Sequence, residues 1–341
     1  MRKHLATYAS VLALTIALAC TPISMDYPSY GVFMNSLDRV TRERVKEFKN
    51  ICEDTRQGDT FIYFTDPHIY PQENTDTTYE EKHFNSKFSV MKNIFNYLPV
   101  NCCICGGDWI TKGDYQDFAK AELQFAKHYM DKWFQPFYTM LGNHDTNYCG
   151  TVSKDNAGSG NLPLSFFEDT LFAEHGHAYY SFSGKHTGFY ILDSGNESEA
   201  NVSGYRSEQI EWLANRLLTD NYGHAVLGFH MFYDHGHQTA FSEIIVTLAE
   251  AFNKRESFSF NGIEYDFSGK NGRIIFILVG HNHEDYITEE HGIPIISTCC
   301  YSTNGRSTFD LCMIDYDSDM LKLVRIGNGE SRSLPLLDAE R

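Results

Sequence analysis

Five short polar segments in this chain each follow a run of strand-forming residues, and they come in a fixed order. FIYFT (61–65) runs into Asp66-Pro67-His68, and NCCIC (101–105) into Gly107-Asp108. FYTML (137–141) precedes Gly142-Asn143-His144-Asp145, AVLGF (225–229) precedes His230, and RIIFILV (273–279) precedes Gly280-His281-Asn282-His283. Helical spacing predicts helices at 83–98, 115–134, 206–219 and 240–255, in the gaps between those strands. Such alternation requires an α/β layered fold, because each strand needs a helix to cover it. Strand ends on a rigid frame are also where loops can meet to build a site.

The residue types at these ends share a chemistry. Carboxylate, amide and imidazole together suit a borderline divalent metal. Asp66 and His68 are two residues apart, and a turn through Pro67 lets both aim at one ion. Asp108 is the natural carboxylate to lie between two ions, while His281 and His283 each serve a different one. Two ions roughly 3.5–4 Å apart can clamp a phosphoryl group and activate a water for in-line attack. Each block alone is rich in turn formers and reads equally well as a plain loop. Five such blocks in series change the balance. His230 is chosen over His224, His235 and His237 because it ends a strand-like run, whereas the other three lie in polar, Gly-containing surroundings.

The order D-x-H, GD, GNHD, H, GHxH resembles the calcineurin-like metallophosphoesterase family over about residues 59–298. The resemblance implies a four-layer αββα sandwich of two mixed β-sheets flanked by helices. It implies that Asp66, His68, Asp108 and His283 hold a first metal. Asp108, Asn143, His230 and His281 hold a second, with Asp108 bridging. It assigns His144 to the substrate, stabilising the transition state or protonating the leaving oxygen, with Asp145 orienting His144 from behind. One branch of the superfamily carries a metal-binding tyrosine three residues after the bridging aspartate. Thr111 stands there in this chain, so two divalent ions, manganese, iron or zinc, are expected instead of a ferric-tyrosinate pair.

The flanks extend the reading. Residues 1–20 have the form of an export signal: Arg2 and Lys3, an apolar stretch from Val11 to Ala19, and Cys20 closing a small-residue, lipobox-like end. Cys20 would then anchor an exported bacterial lipoprotein, periplasmic or on the outer membrane; ordinary secretion is the alternative. Residues 21–56 are expected to hold a tether (to Asn35) and one helix at 37–51, and 57–332 the phosphoesterase domain. A hairpin is expected at 257–260 and 264–267. Strands at 286–288, 293–298, 309–315 and 321–325 are expected to complete the second sheet, the tail 321–332 resembling a closing strand of some bacterial members. Of the nine cysteines, Cys102, Cys103 and Cys105 alternate along a buried strand, and no C-x-x-C spacing occurs. Mostly free buried thiols follow, with a disulfide from Cys149 left open.

The formal charge of −17 repels nucleic-acid backbones, so the expected substrate is a small organic phosphate and no nucleic-acid polymer. The expected activity is hydrolysis of a phosphomonoester or phosphodiester outside the cytoplasm. A nucleotide or cyclic-nucleotide diesterase is the alternative, and a non-catalytic binding protein on the same fold would have lost ligands that are all present. Tyr70, Trp109, Tyr148, Phe232, Tyr233 and Tyr301 neighbour the motifs, either as stacking surfaces for a base or sugar or as core anchors. Lys112 and Arg306 are candidates for a non-reacting phosphate oxygen, and the insert 146–178 for a rim over the site.

Overall fold

The computed structural model describes residues 27–69, 77–111, 116–146, 162–194, 206–301 and 307–337. The export signal, Cys20, Tyr70, Lys112, Tyr148, Cys149 and Arg306 lie outside the described residues. Among those described, no helix is long and apolar enough to cross a membrane.

Two six-stranded mixed sheets form the middle of the fold. In the first, β1 (Gly58–Phe64), β2 (Cys102–Cys105) and β3 (Phe137–Thr139) run parallel. On the other side of β1 lie three antiparallel strands, β14 (Phe309–Asp315), β15 (Met320–Ile326) and β16 (Arg332–Pro335). In the second, β5 (Thr187–Ile191), β6 (His224–Gly228), β11 (Arg273–Val279) and β13 (Ile293–Ser297) are parallel. Its antiparallel edges are β4 (Tyr180–Ser183) and β12 (Tyr286–Glu290). Two hairpins complete the strands, β7 (Tyr233–Asp234) with β8 (His237–Gln238), and β9 (Ser257–Phe260) with β10 (Ile263–Asp266).

Helices cover both outer faces, which makes the αββα sandwich. α1 (Tyr30–Ser36), α2 (Arg39–Asp54), α3 (Thr77–Tyr97), α4 (Gln116–Trp133) and α5 (Leu164–Asp169) belong to the half built on the first sheet. α6 (Ser207–Thr219) and α7 (Ala240–Lys254) pack on the second. The central strands are buried along nearly their whole length, as expected for parallel strands covered on two faces. Alternation sorts their side chains: Phe189 and Ile191 enter the core between the sheets, where Phe189 meets Phe61, and Tyr190 and Leu192 face the helices. In β11 a register shift between Ile274 and Phe276 reverses this order. Ile274 faces the helices, yet so do Ile277 and Val279, while Ile275, Phe276 and Leu278 line the inter-sheet core. One extra residue thus decides which face the end of β11 presents to the motif that follows.

The expectation for the last four strands is corrected. Only β12 and β13 join the second sheet. β14 pairs with β1, and β15 with β14, so these two extend the first. Phe309, Leu311 and Val324 carry no mark of which sheet they will join, since either offers an apolar neighbour. The expected tether is corrected too: Tyr30–Ser36 is a helix started by Ser29, and it buries Phe33 and Met34. β4 and β5 lie outside the expected strands. Of the cysteines described, Cys102, Cys103, Cys105 and Cys312 are buried free thiols and Cys52 is a partly buried one, while Cys299 and Cys300 are also buried.

Candidate metal centre

All five motifs leave the carboxyl ends of parallel strands: β1, β2 and β3 in one sheet, β6 and β11 in the other. Because the sheets pack face to face, five loops meet at one edge of the sandwich. Backbone bonds continue the ladders into these loops. Asp66 and His68 donate to the carbonyls of Gly107 and Asp108 at 3.0 and 3.1 Å, and Gly280 donates to His230 at 2.9 Å. Asp66, His68, Asp108, His281 and His283 all take positive φ, between 38 and 74°. Asp and His tolerate that region better than most residues, but five instances at one place mark a backbone bent to aim side chains. Two glycines let the loops close. A Cβ on Gly142 would fall on the Asp108 carboxylate, and one on Gly280 would strike Thr65, His230 and Asp66.

The seven residues expected as ligands come together in two groups. Asp66 Oδ1 lies 3.2 Å from His283 Nε2, which is 2.9 Å from His68 Nε2. Asp108 Oδ2 lies 3.1 Å from His230 Nε2, and Asn143 Oδ1 lies 2.9 Å from His281 Nδ1. The donor atoms of Asp66, His68 and His283, and those of Asp108, His230 and His281, each lie within 4.8 Å of one another. Two atoms that are each about 2.1 Å from one ion, at right angles, are about 3 Å apart, so these spacings suit shared coordination.

The remaining hydrogen bonds show which atoms are left for a cation. Asp66 Oδ2 accepts from Thr65 Oγ1 and from the His281 amide, and Asp108 Oδ1 accepts from the His144 amide at 2.8 Å. His68 Nδ1 faces the Ile110 carbonyl and His230 Nδ1 the Gly106 carbonyl, which turns each Nε2 toward the cluster. Asp66 Oδ1, Asp108 Oδ2 and His230 Nε2 are then buried with no hydrogen bond of good geometry, although 3.1 Å separates the last two. Buried charged atoms without partners are costly, and divalent ions would satisfy all three at once. The residues present therefore fit a pair of metal ions.

Electrostatics point the same way. Burial favours a neutral Asp108, but His230, His144 and His68 prevail and hold it well below the usual carboxylate range. Burial likewise opposes a charged His230, yet Asp108 and Asp66 push it up to about 10. The pocket is organised around positive charge.

His144 stands at the mouth. Its side chain is 25% exposed, its Nε2 is 4.0 Å from Asp108 Oδ2, and its ring lies against that of His68. The role expected for Asp145 is corrected. Its oxygens accept the amides of Asp108, Trp109 and Gly142 at 2.7–3.0 Å, so it ties two ligand loops together and reaches His144 only through the backbone. Burial and the Asp108 charge push it up to about 7. Phe232, Trp109 and Tyr301 are buried core anchors, leaving Tyr233 partly exposed. His224 begins β6, at the end remote from the site, stacked on Tyr316, and His235 and His237 are exposed on the β7–β8 hairpin.

Three supports lie outside the five motifs. Asp234 Oδ1 is 3.5 Å from His281 Nε2. Lys87 Nζ donates to the Pro67 carbonyl at 2.6 Å. Asp285, two residues after His283, is gripped at 2.6 Å by both terminal nitrogens of the buried Arg325, which also holds Asp310. Only Asp234 and Asp285 offered a signal, each being an acidic residue within four positions of a motif histidine.

A family model described as calcineurin-like phosphoesterase matches residues 60–285. No curated protein matches the chain. Among solved structures, a dimetal phosphatase from Danio rerio is 13% identical with a TM-score of 0.55, covering 81% of this chain and 98% of its own. A putative 5'-nucleotidase from Staphylococcus aureus is 13% identical with a TM-score of 0.40, covering 83% of this chain and 55% of its own. An archaeal phosphodiesterase is 11% identical with a TM-score of 0.33, covering 78% and 99%. The first of these likenesses shows a shared fold.

Proposed function

The chain belongs to the calcineurin-like phosphoesterase family, and from that premise we propose that it hydrolyses a small phosphomonoester or phosphodiester with two divalent ions. The observation that carries this reading is the set of unpaired buried atoms, Asp66 Oδ1, Asp108 Oδ2 and His230 Nε2, turned toward one another at the meeting point of five loops. Asp66, His68, Asp108 and His283 would hold one ion, and Asp108, Asn143, His230 and His281 the other. Such ions, when bound, polarise the phosphoryl group and lower the pKa of a coordinated water.

The chain's own residues do the rest. The ligand loops hold the phosphoryl group in line with the attacking water, and positioning of this kind is most of what phosphoryl transfer needs. As the oxygen of water bonds to phosphorus, the ester P–O bond breaks and the leaving oxygen requires a proton. His144 Nε2, on the solvent side of Asp108, is placed to supply it. The net charge of −17 supports a small substrate over a nucleic-acid polymer.

The test is turnover of p-nitrophenyl phosphate, bis-p-nitrophenyl phosphate and cyclic nucleotides by protein reconstituted with manganese, iron or zinc. Chelator-sensitive hydrolysis of either nitrophenyl ester is expected. Preference for a cyclic nucleotide would move the reading to a nucleotide diesterase. Metal-loaded protein inert on all three would refute it.

A further inference from the structure

His230 and His281 belong to the same ion site, but their outward nitrogens meet different partners. His230 Nδ1 lies 2.6 Å from the Gly106 carbonyl, a neutral backbone group. His281 presents Nδ1 to Asn143 Oδ1 at 2.9 Å, and its other nitrogen, Nε2, lies 3.5 Å from Asp234 Oδ1. A carboxylate behind an imidazole selects its tautomer, fixes its orientation and makes it a stronger donor, more so than a carbonyl does.

Asp234 is held in place by the hairpin that carries it. Asp234 pairs with His237, and the two residues between them, His235 and Gly236, have φ of 49 and 80°, the positive pair that a tight two-residue hairpin turn needs. The Thr239 amide donates to the Phe232 carbonyl at 3.0 Å and closes the loop, and Tyr233 Oη donates to Glu290 at 2.7 Å and ties it to the edge strand β12. Asp234 itself is only 32% exposed in its side chain. An isolated surface acid would need none of this anchoring.

We propose that Asp234 is a positioning residue for the ion site formed by Asp108, Asn143, His230 and His281, accepting the Nε2 hydrogen of His281 so that Nδ1 faces the ion. The inference rests on the two-ion reading above. Removing the carboxylate weakens that one site and spares the Asp66–His68–His283 site, which Asp234 does not touch.

The experiment is titration of chelator-treated full-length protein with Mn²⁺ or Zn²⁺, followed by calorimetry and by elemental analysis after dialysis. Wild type is expected to take up two ions. In Asp234→Ala one binding step weakens by about 10–100-fold and the other is unchanged. Asp234→Asn, which keeps the shape and one acceptor oxygen, gives a smaller loss, and it serves as the test if the alanine protein does not fold. Tyr233→Phe breaks the hairpin anchor but leaves the carboxylate, so any loss at that site should be smaller than in Asp234→Ala. Wild-type affinity at both sites in the Asp234 variants, equal weakening of both, or an equal effect from Tyr233→Phe would overturn the role of Asp234 and leave the two-ion reading standing. A wild-type protein that binds no ion would remove both.

Discussion

His230 and His283 face the same cluster, but one side chain has no solvent exposure and the other is 46% exposed. His230 stands directly past β6, with Phe229 and Gly280 still bonded into the ladder between β6 and β11, and Asp108 and Asn143 beside it are buried as well. His283 stands four residues past β11 at a φ of 58°, on a loop steadied from below by Asp285 and Arg325. The two halves of the centre therefore differ in kind. In the buried half a ligand is also a piece of the core; in the exposed half Asp66 is equally buried, and His283 is the ligand that stands clear of it. Burial should decide whether losing a ligand costs one ion or the whole site.

The largest effect that separates the halves is expected at Asp108. Asp108→Asn removes the anionic oxygen 3.1 Å from His230, between the two groups of ligands. It should empty both positions and lower turnover by more than about 10⁴-fold, beyond what loss of a single acid–base group does. His283→Asn should keep the melting temperature and about one ion per chain. Metal per chain by elemental analysis, read beside thermal melts, checks both variants. If His283→Asn empties the centre, or Asp108→Asn keeps one ion, then burial is not what divides it.

His144 sits between the halves and gives the next largest effect. It touches His68 on one side and approaches Asp108 on the other, so His144→Asn should keep both ions while turnover falls by roughly 10²–10⁴-fold. The loss should be greater with alkyl phosphates than with nitrophenyl esters, whose phenolate leaves with less help. Full activity on alkyl phosphates, or loss of metal, would remove His144 from proton transfer.

How far these features could be read in advance follows a physical line. A strand ending in a metal-binding residue type leaves a local signature, so the motifs after β1, β2, β3, β6 and β11 could be read directly. Sheet membership is non-local: Leu311 pairs with Ile62 across a gap that no local pattern records, so local pattern alone places β14 and β15 in the wrong sheet. β4 and β5 leave a weaker signature because no motif residue ends them, though the Gly184-Lys185 turn between aromatic runs is a usable sign. Asp145 departs from expectation for another reason. Adjacency to His144 implied a side-chain contact, but the tight Gly142–Asp145 turn directs its carboxylate back to the amides of Asp108 and Trp109.

Acid separates the halves most finely, through two histidines only two positions apart. The Asp66 carboxylate, 3.2 Å from Nε2, outweighs partial burial and raises the pKa of His283 above its ordinary 6.5. Burial, aided by His230, lowers that of His281 below the same value. A proton on a ligand nitrogen competes with an ion; His230, for all its raised pKa, is fully buried between Asp66 and Asp108, whereas the 46% exposed His283 can turn out and take one, so as pH falls the exposed position should empty before the buried one. In metal-free protein the signs for stability are opposite. His283, with its raised folded pKa, adds stability that is fully present below 6.5 and is lost as pH rises through the folded value. His281, with its lowered value, withdraws stability as pH falls through 6.5, because the unfolded chain binds that proton first. Dialysis at graded pH should therefore show metal per chain falling from two to one and then to none, with His283→Asn lacking the first step. A single step from two to none would mean that the ions are lost together and that exposure of His283 does not set the order.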